Sequence, residues 1–332
     1  IWKMPQFGIN NNFPILAWYS ELPFPGSGTS TDPYVISSRE QFDAYRSDPM
    51  FWNAYVRLDC HLDLSDTTYT AAPIAPDTDN STNGFQGTSF TGNFNGNRHR
   101  ITGLHITGGA GDYIGLFGCV GTGGTVRNLY VRQSQISGSD YNGGICGYNL
   151  GTIEYCSASG TITGSSSTGG ITGSNTGSIS RCASHASVSG GRYVGGVVGL
   201  NNADGSIANS YSTGNCLATN TYAGGFAGRN YGSITKCYTT SPLQASVDPY
   251  GAFCGGSSGT ITSCFYLTTN GTDSYAAGLT AHQFVDQSSF AGWDFTGSPL
   301  DGKLDIWKMP FHINQRRPVL SWQIDLTDIT TR

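Results

Sequence analysis

The sequence predicts an all-β fold: a single right-handed parallel β-helix, or solenoid, with coils of about 27 residues and a short capping helix at each end. Three observations predict it. Glycine makes up 47 of 332 residues, only 12% of the residues are charged, and Gly-rich blocks recur at nearly constant spacing. Ordinary globular domains contain about 7% glycine and about 25% charged residues. The right-handed sense is expected because crossovers between parallel strands almost always take that hand.

Composition and charge exclude several other classes of protein. The net charge of −5 is too small, and the hydrophobic content of 37% too large, for a disordered chain. Lysine and glutamate are too scarce for a coiled coil. The sequence pI of about 5.6 predicts no nucleic-acid partner of the basic-patch kind. No run of 18 apolar residues occurs, so no membrane-spanning segment is expected.

Six blocks in the middle of the chain share one pattern, which starts with Tyr or Ser and ends with Gly. The closing glycines are separated by 29, 26, 26, 29 and 27 residues, and a second β-prone block follows each of them. A period near 27 without helical periodicity is typical of a solenoid, in which stacked coils bury the apolar side that one coil cannot bury alone. The closing glycines are Gly118, Gly147, Gly173, Gly199, Gly228 and Gly255.

Stacking places the same position of each coil in one column along the solenoid. One expected column contains small residues, and a second contains aromatic residues. The first column consists of Leu129, Cys156, Cys182, Ser210, Cys237 and Cys264. The second column consists of Tyr113, Tyr141, Tyr193, Tyr222 and Tyr250.

At these residues the chain resembles the GLUG-motif family, a group of repeats found in bacterial surface and secreted proteins. The resemblance is strong over residues 110–266 and extends to 26–45, 55–66, 90–106 and 279–295. It implies a parallel β-helix on an extracellular protein. The family includes adhesin-like chains and regions of IgA-cleaving metallopeptidases. This sequence contains no HExxH motif, so the resemblance implies no peptidase activity.

The two ends of the chain resemble each other. Residues 1–5 (IWKMP) recur as 306–310, and Asn10, Pro14, Leu16 and Trp18 recur 304 positions later as Asn314, Pro318, Leu320 and Trp322. We interpret residues 1–19 as the tail of a preceding unit, or a linker, in a tandem array with a period near 305. Chance, or a short closing motif used twice, is the alternative. The expected divisions are 1–19, an N-terminal cap with the first coils (20–109), the GLUG repeats (110–267) and a C-terminal capping segment (268–332).

Both solenoid ends require a cover, because an exposed strand edge invites aggregation. Ser37 and Glu40 form a capping-box pattern that predicts a helix ending near Asp48. Thr280 and Gln283 predict a second short helix. The aromatic side chains of the C-terminal segment are expected to close the other end, and residues 67–89 are expected to form a protruding loop. Those aromatic residues are Trp293, Phe295, Trp307 and Trp322.

The nine cysteines contain no CxxC pair. The four in the small-residue column are interpreted as buried, reduced side chains that pack like small hydrophobes. A disulfide between Cys254 and Cys264 remains an alternative.

The inventory of acids and bases predicts no catalytic residue. Four acids lie between residues 115 and 265, and no two share a repeat position, whereas Arg181 and Lys236 do share one. If the chain is an enzyme, a polysaccharide lyase or glycoside hydrolase is expected, with acids in the region 55–100. The four acids are Asp140, Glu154, Asp204 and Asp248.

Two groups of residues are candidate binding sites. Asp59, His61 and Asp63 alternate along a predicted strand, so their side chains are expected on one side, where they would bind Ca²⁺ or serve as structural hydrogen-bond partners. The tyrosine column forms either a platform for sugar rings or a packed stack at the turns.

The sequence therefore predicts a non-enzymatic structural or adhesive module on the cell surface or outside the cell. Its expected partners are identical tandem units or head-to-tail copies, and a polysaccharide is a further candidate. A polysaccharide-degrading enzyme and a glycan-binding module that uses the tyrosine column are the alternatives.

Overall fold

The structure is a computed structural model, and it describes residues 2–3, 15–16, 23–246, 248–296, 305–310 and 316–323. It confirms the all-β class and the parallel solenoid. All strand pairs within the described solenoid are parallel, and each coil crosses three sheets. The first sheet fixes the coil length, because its six interior residues from Val126 to Ile261 are spaced by 27, 26, 28, 27 and 27 residues. The right-handed sense stays a prediction.

The strands fall into the three sheets as follows. The first sheet contains Tyr34–Ile36, Tyr55–Leu58, Asn93–Asn95, Thr125–Arg127, Thr152–Glu154, Ser178–Ser180, Ser206–Ala208, Ser233–Thr235 and Thr260–Thr262. The second sheet contains Phe117–Val120, Cys146–Asn149, Thr172–Asn175, Val198–Asn201 and Ala227–Asn230. The third contains Leu62–Asp63, Thr68–Tyr69, Arg100–Thr102, His105–Thr107, Tyr130–Ser137, Asp140–Gly143, Ser157–Gly169, Ala183–Ser184, Ser187–Gly195, Tyr211–Ser212, Cys216–Ala218, Ala223–Gly224, Tyr238–Thr239, Leu243–Ala245, Tyr250–Gly251, Phe265–Leu267 and Ala277–Leu279.

A helix covers the N-terminal end of the solenoid. It spans Arg39–Ser47 and buries Phe42 and Tyr45 against the first coils. Its N-cap is Ser38, whose side chain accepts a hydrogen bond from the Gln41 amide, so the predicted capping box lies one residue later than Ser37 and Glu40. The strand Tyr34–Ile36 is followed by Ser37 and Ser38, and the helix begins only after these two residues.

The predicted C-terminal helix is replaced by two 3₁₀ turns, Gln283–Val285 and Gln287–Ser289. The predicted cap is nevertheless made, because the Thr280 hydroxyl accepts from the Gln283 amide at 3.3 Å and the Thr280 amide donates to the Gln283 side chain. Asp286 then caps the second turn and stops the first from extending. Short 3₁₀ turns also occur at Pro49–Phe51, Thr268–Asn270 and Ser321–Gln323.

The C-terminal aromatic residues pack on the side of the solenoid. The sequence instead predicted that they would close its C-terminal end. Trp293 and Trp307 are buried against Tyr211 and Tyr238, which project outward from the third sheet. Because the chain doubles back after Phe265–Leu267, these rings meet the flank of coils that precede them. This side cluster is separate from the solenoid interior.

The predicted loop at 67–89 is held to the solenoid at both ends. Ile74 forms a bridge with Phe117, and Phe90 forms one with Val120, so the exposed loop is shorter than predicted. Within it, Phe85 packs edge-on against Tyr113 at 5.6 Å. None of the helices in the part of the chain that the structure describes has the length and apolar character needed to cross a membrane.

The cysteine column is buried as predicted. Leu129, Cys156, Cys182, Ser210, Cys237 and Cys264 expose 0–3% of their surface. Each of the four thiols donates to carbonyl oxygens, for example Cys156 Sγ to the Glu154 oxygen at 3.3 Å. All nine cysteines are free, so the proposed disulfide between Cys254 and Cys264 is wrong. The two residues lie in different parts of the coil. Cys254 is bridged to Ala227 of the second sheet, whereas Cys264 lies between a strand of the first sheet and one of the third and donates to the Ile234 oxygen.

A ladder of asparagines runs through the interior at the end of the second sheet. Asn149, Asn175, Asn201 and Asn230 are fully buried. The side-chain amide of each of the first three donates to the side-chain oxygen of the next asparagine, at 2.7, 2.8 and 2.8 Å. Each also satisfies backbone groups at the adjoining turn. The ladder therefore fixes the register of successive coils, since a buried amide without its partner costs about 1–3 kcal/mol.

The first prediction concerns this ladder. Replacing Asn201 by Ala removes the acceptor of Asn175 and the donor to Asn230, both buried. We expect the free energy of unfolding in urea to fall by about 3 kcal/mol. The control is Asn220→Ala, because the side chain of Asn220 is exposed. A loss no larger than that of the control would contradict a structural role for the ladder.

The second prediction concerns thiol reactivity. Burial raises the pKa of Cys146, Cys156 and Cys237 well above its ordinary value and raises that of Cys216 to about 12. Only Cys60 is partly exposed among the nine. At about pH 8, a thiol reagent should label one cysteine of the native protein quickly, and Cys60→Ser should remove that phase. Fast labelling of the column cysteines would place them on the outside.

Candidate functional site

The tyrosine column lies at a sharp turn that each coil makes before its Gly-rich block. Tyr113, Tyr141, Tyr193 and Tyr222 all have a left-handed backbone, with φ between 55° and 63°. This conformation is uncommon for a bulky residue, so its strain must be offset by contacts. The rings of Tyr113 and Tyr141 supply such contacts, since they stack with centroids 4.8 Å apart and planes 13° apart.

The closing glycine of each block is required by this turn. A Cβ added to Gly147 would lie 2.4 Å from the backbone carbon of Tyr113, and one on Gly173 would lie 2.4 Å from that of Tyr141. No side chain fits between two backbones at that distance. The tyrosine turn of one coil and the glycine of the next are therefore a matched pair, which explains why the two residues recur together.

The column is interrupted and ends differently from the prediction. Ser167 occupies the turn between Tyr141 and Tyr193, also with positive φ. Tyr250 does not belong to the column, because it pairs with Ala223 and lies one position beyond Tyr222. The last block is one residue shorter than its predecessor, so its first Tyr is not the structural equivalent of Tyr222. Tyr250 is consequently 54% exposed.

The two halves of the column differ in surroundings. Tyr113 is only 6% exposed, and burial raises its pKa and that of Tyr141. In the second half, guanidinium groups cover the rings. Arg192 lies 4.3 Å from the ring centre of Tyr193, and Arg229 lies 4.8 Å from that of Tyr222. The first half is thus a packed structural stack, and the second is a mixed aromatic and cationic surface.

Arg229 extends this second surface to a further ring. Its guanidinium also lies 4.9 Å from the ring of Tyr231, which is 43% exposed. Contacts of this kind contribute about 0.5–1 kcal/mol at exposed sites. We call Arg192, Tyr193, Tyr222, Arg229 and Tyr231 the Tyr–Arg surface.

An acidic pair lies beside the first half of the column. Asp112 and Asp140 each precede a column tyrosine, and the Asp140 amide donates to the Asp112 carboxylate at 2.9 Å. Burial, followed by the charge of Asp112, raises the pKa of Asp140. The sequence did not predict this pair, because Asp112 precedes residues 115–265, to which the expectation about acids applied. A carboxyl group with a raised pKa beside a second carboxyl group is found at acid–base sites, so the pair is a candidate for chemistry.

The three residues predicted to bind a cation have separate partners. Asp59 accepts two hydrogen bonds from Arg57, at 2.8 and 2.9 Å, and Asp63 accepts from the Ser65 amide at 2.9 Å. These bonds lower the pKa of both carboxyl groups. Among the described residues no group of three or more acidic, His or Cys side chains is placed to hold a metal ion. The structure therefore does not bring Asp59, His61 and Asp63 together as ligands.

His61 instead pairs with His99 in the next coil. Their Nδ1 atoms lie 3.2 Å apart, and the Arg100 amide points at the same His61 nitrogen at 3.3 Å. Because an amide N–H only donates, His61 Nδ1 accepts, and His99 Nδ1 carries the shared proton. A shallow groove of about 480 Å³ opens beside the pair, lined by His61, Asp63, Arg100 and Arg132 among others.

Comparison with known proteins identifies the repeat. The sequence model of the GLUG motif matches residues 141–163, 190–215 and 219–241. The chain contains GLUG repeats. The matched segments contain Tyr141, Tyr193 and Tyr222, so the turn tyrosines are part of the GLUG repeat itself. The same is true of the asparagines Asn149, Asn201 and Asn230.

Two curated proteins share parts of the GLUG-repeat chain. Halomucin of Haloquadratum walsbyi is 35% identical over 212 residues, 62% of this chain. A protein of Evansella cellulosilytica, provisionally named a Gly-rich membrane protein, is 33% identical over 138 residues, 40% of this chain. The chain spans only 2% of the first relative and 15% of the second.

One solved structure shares the fold. A Bacteroides ovatus protein, provisionally described as an immunoglobulin A1 protease, superposes with a TM-score of 0.68 over 90% of this chain and 94% of its own. The two sequences are 21% identical, so the likeness extends to the fold alone.

Sequence reasoning missed the asparagine ladder and the acidic pair. The ladder had a signal, since four of the six closing glycines are followed two residues later by Asn, in GYN, GSN, GLN and GRN. The acidic pair had a weaker one, because only the first two column tyrosines, Tyr113 and Tyr141, directly follow an aspartate. Both would have emerged from aligning the GLUG repeats position by position.

The third prediction concerns Asp140. Its raised pKa means that folding favours the protonated carboxyl group. Ionisation of Asp140 therefore destabilises the fold by an amount that is absent below the unfolded pKa of about 3.9, grows as pH rises towards the folded pKa and is complete above it. Asp140→Asn should therefore stabilise the protein relative to wild type at about pH 7 and not at about pH 3. Thermal midpoints at both pH values test this.

Asp112→Asn is the matched control for that prediction. It removes the neighbouring charge and should lower the pKa of Asp140 in an NMR titration. Equal effects of Asp140→Asn at both pH values would show that Asp140 is not perturbed.

Proposed function

We propose that the chain is a rigid, non-enzymatic structural module of an extracellular surface protein, where it acts as a spacer or adhesive element. One observation carries this proposal: the features that recur in each of its repeats join one coil to the next. The turn tyrosine, closing glycine and buried asparagine of each GLUG repeat all contact the neighbouring coil.

The relatives support the surface location. The chain matches short parts of halomucin and of a provisionally named membrane protein, so segments of this kind occur within much longer chains. A solenoid suits such a chain, because its length grows by about 4.8 Å for each coil that is added. Only 12% of all residues are charged, so stability depends mainly on hydrogen bonds and packing that salt does not screen.

The fourth prediction tests the surface location. Antibodies raised against the purified chain should label intact cells of the organism that encodes it, without permeabilisation. Protease treatment of intact cells should release the epitope. The control is an antibody against a cytoplasmic protein of the same cells. Labelling that requires permeabilisation would contradict the proposal.

A second candidate function is polysaccharide binding by the Tyr–Arg surface. The specific observation in its favour is that Arg229 lies between Tyr222 and Tyr231, so one exposed patch combines flat rings with a cation. Rings of this kind stack on sugar rings, and the guanidinium pairs with carboxylate or sulfate groups. The patch would therefore select acidic over neutral polysaccharides.

The fifth prediction tests this patch. Tyr231→Ala should weaken retardation in affinity electrophoresis with an acidic polysaccharide by about three- to tenfold. Tyr55→Ala is a matched control, because Tyr55 is also exposed, at 42%, and lies on an early strand. Equal behaviour of the two variants would exclude the Tyr–Arg surface. Turnover of the polysaccharide that Asp140→Asn abolishes would instead support the glycoside hydrolase alternative.

A further inference from the structure

Residues 305–310 and 316–323, which we call the strap, are held along the flank of the solenoid. Trp307 is fully buried, with its ring 4.5 Å from Trp293 and 5.8 Å from Tyr238. Its strand Trp307–Lys308 pairs with Val319–Leu320 in an antiparallel hairpin. The strap therefore packs as a small preformed element on the outside of the third sheet.

Two tryptophans show which way the strap runs. The Trp293 indole donates to the Ser263 oxygen at 3.1 Å, and the Trp322 indole donates to the Arg181 oxygen at 3.0 Å. Ser263 and Arg181 occupy the same turn position, three coils apart. With about 4.8 Å per coil, the chain returns about 14 Å towards the N-terminal end of the solenoid.

The flank is shaped to receive the strap, and we call this surface the seat. Stacking places Tyr130, Ser157, Ala183, Tyr211 and Tyr238 in one column. Small residues in its middle leave a depression between aromatic residues. The Trp322 ring lies 5.4 Å from that of Tyr130, at one end of the seat. Further along the column, the Tyr211 hydroxyl donates to the Gln323 side chain at 2.9 Å.

The N-terminal copy of the strap forms the same hairpin. Trp2–Lys3 pairs antiparallel with Ile15–Leu16, with Trp2 opposite Leu16. In the strap, Trp307 lies opposite Leu320. These are the residues that the sequence repeat aligns, so the two segments share both sequence and strand register. The side chains of Trp2, Phe13 and Trp18 lie outside the described residues.

We propose that residues 1–19 are the strap of a preceding tandem unit, built to dock on the seat of that unit as the C-terminal strap docks on this one. The chain's own seat is already filled by the C-terminal strap, so the N-terminal strap requires the flank of a different unit. The occupant is defined by the repeat itself: Trp2 takes the place of Trp307, and Trp18 takes the place of Trp322. The segment would then lie on the flank of the preceding solenoid and not on its end.

The arrangement of successive units follows from the seat. Phe24, which is buried in the N-terminal cap, comes six residues after Trp18, and six residues span at most about 20 Å. A solenoid whose strap reaches back to Arg181 of its predecessor must therefore begin beside that predecessor. Successive units would lie side by side and staggered along their axes. This inference is independent of the cellular location proposed above.

A binding experiment tests the proposal. The probe is a fluorescent peptide of residues 1–19, titrated against the full chain and against Trp307→Ala, which loosens the chain's own strap. The peptide should bind Trp307→Ala at least about tenfold more tightly than the wild-type chain. A peptide with Trp2→Ala and Trp18→Ala should lose this binding. Trp322→Ala provides a milder loosening if Trp307→Ala fails to fold.

Photo-crosslinking tests the location. A benzophenone amino acid in place of Trp18, in the full chain with Trp322→Ala, should crosslink to the flank around Tyr130, Tyr155 and Arg181. Isotope-labelled mixtures show whether the two halves come from different molecules. Crosslinks to the cap helix Arg39–Ser47 or to the last coil, or equal peptide affinity for the wild-type and loosened chains, would overturn the proposal.

Discussion

Parallel hydrogen bonding from each coil to the next is the constraint on which the rest of this structure depends. A coil of about 27 residues has no partner within itself, so its backbone groups and its apolar side are satisfied only by its neighbours. That requirement keeps the coil length nearly constant and keeps like residues in columns. Interior residues such as Ile153, Ile179 and Ile207 are fully or almost fully buried as a consequence.

The same constraint explains where polar groups lie. The asparagine ladder places one side-chain amide per coil at the corner where the backbone leaves the second sheet, and it supplies partners that no water can supply there. The turn tyrosines lie at another corner of the coil, where ring stacking offsets the strain of a left-handed backbone. Residues that face solvent are free of these demands, which is why the Tyr–Arg surface and the acidic pair occupy only a few coils.

The fold was predictable from the sequence because its determinants are periodic. Gly147 and Gly173 recur with the turn tyrosines, and the cysteine column was placed correctly in the interior. The features that were missed depend on events outside the period. A one-residue deletion moved Tyr250 out of its column, and the doubling back of the chain after Leu267 moved Trp293 and Trp307 from the solenoid end to its side. The doubling back leaves no trace in repeat spacing, and the shorter block is visible only as a difference between the tyrosine and the glycine spacing.

The candidate sites were harder to predict, because they depend on single contacts. The alternation of Asp59, His61 and Asp63 suggested a common ligand, yet Arg57 and Ser65 each bind one of the two carboxylates. Local hydrogen bonds of this kind compete with any shared site, and strand alternation alone does not reveal them.

Hydrogen exchange of the backbone amides tests the central claim most directly. If coils are stable only through their neighbours, amides in the central strands Thr152–Glu154, Ser178–Ser180 and Ser206–Ala208 should exchange most slowly. Protection should then decline steadily towards both ends of the solenoid. Protection that is equally strong in a terminal coil, or that is lost in one central coil while its neighbours keep it, would contradict the account.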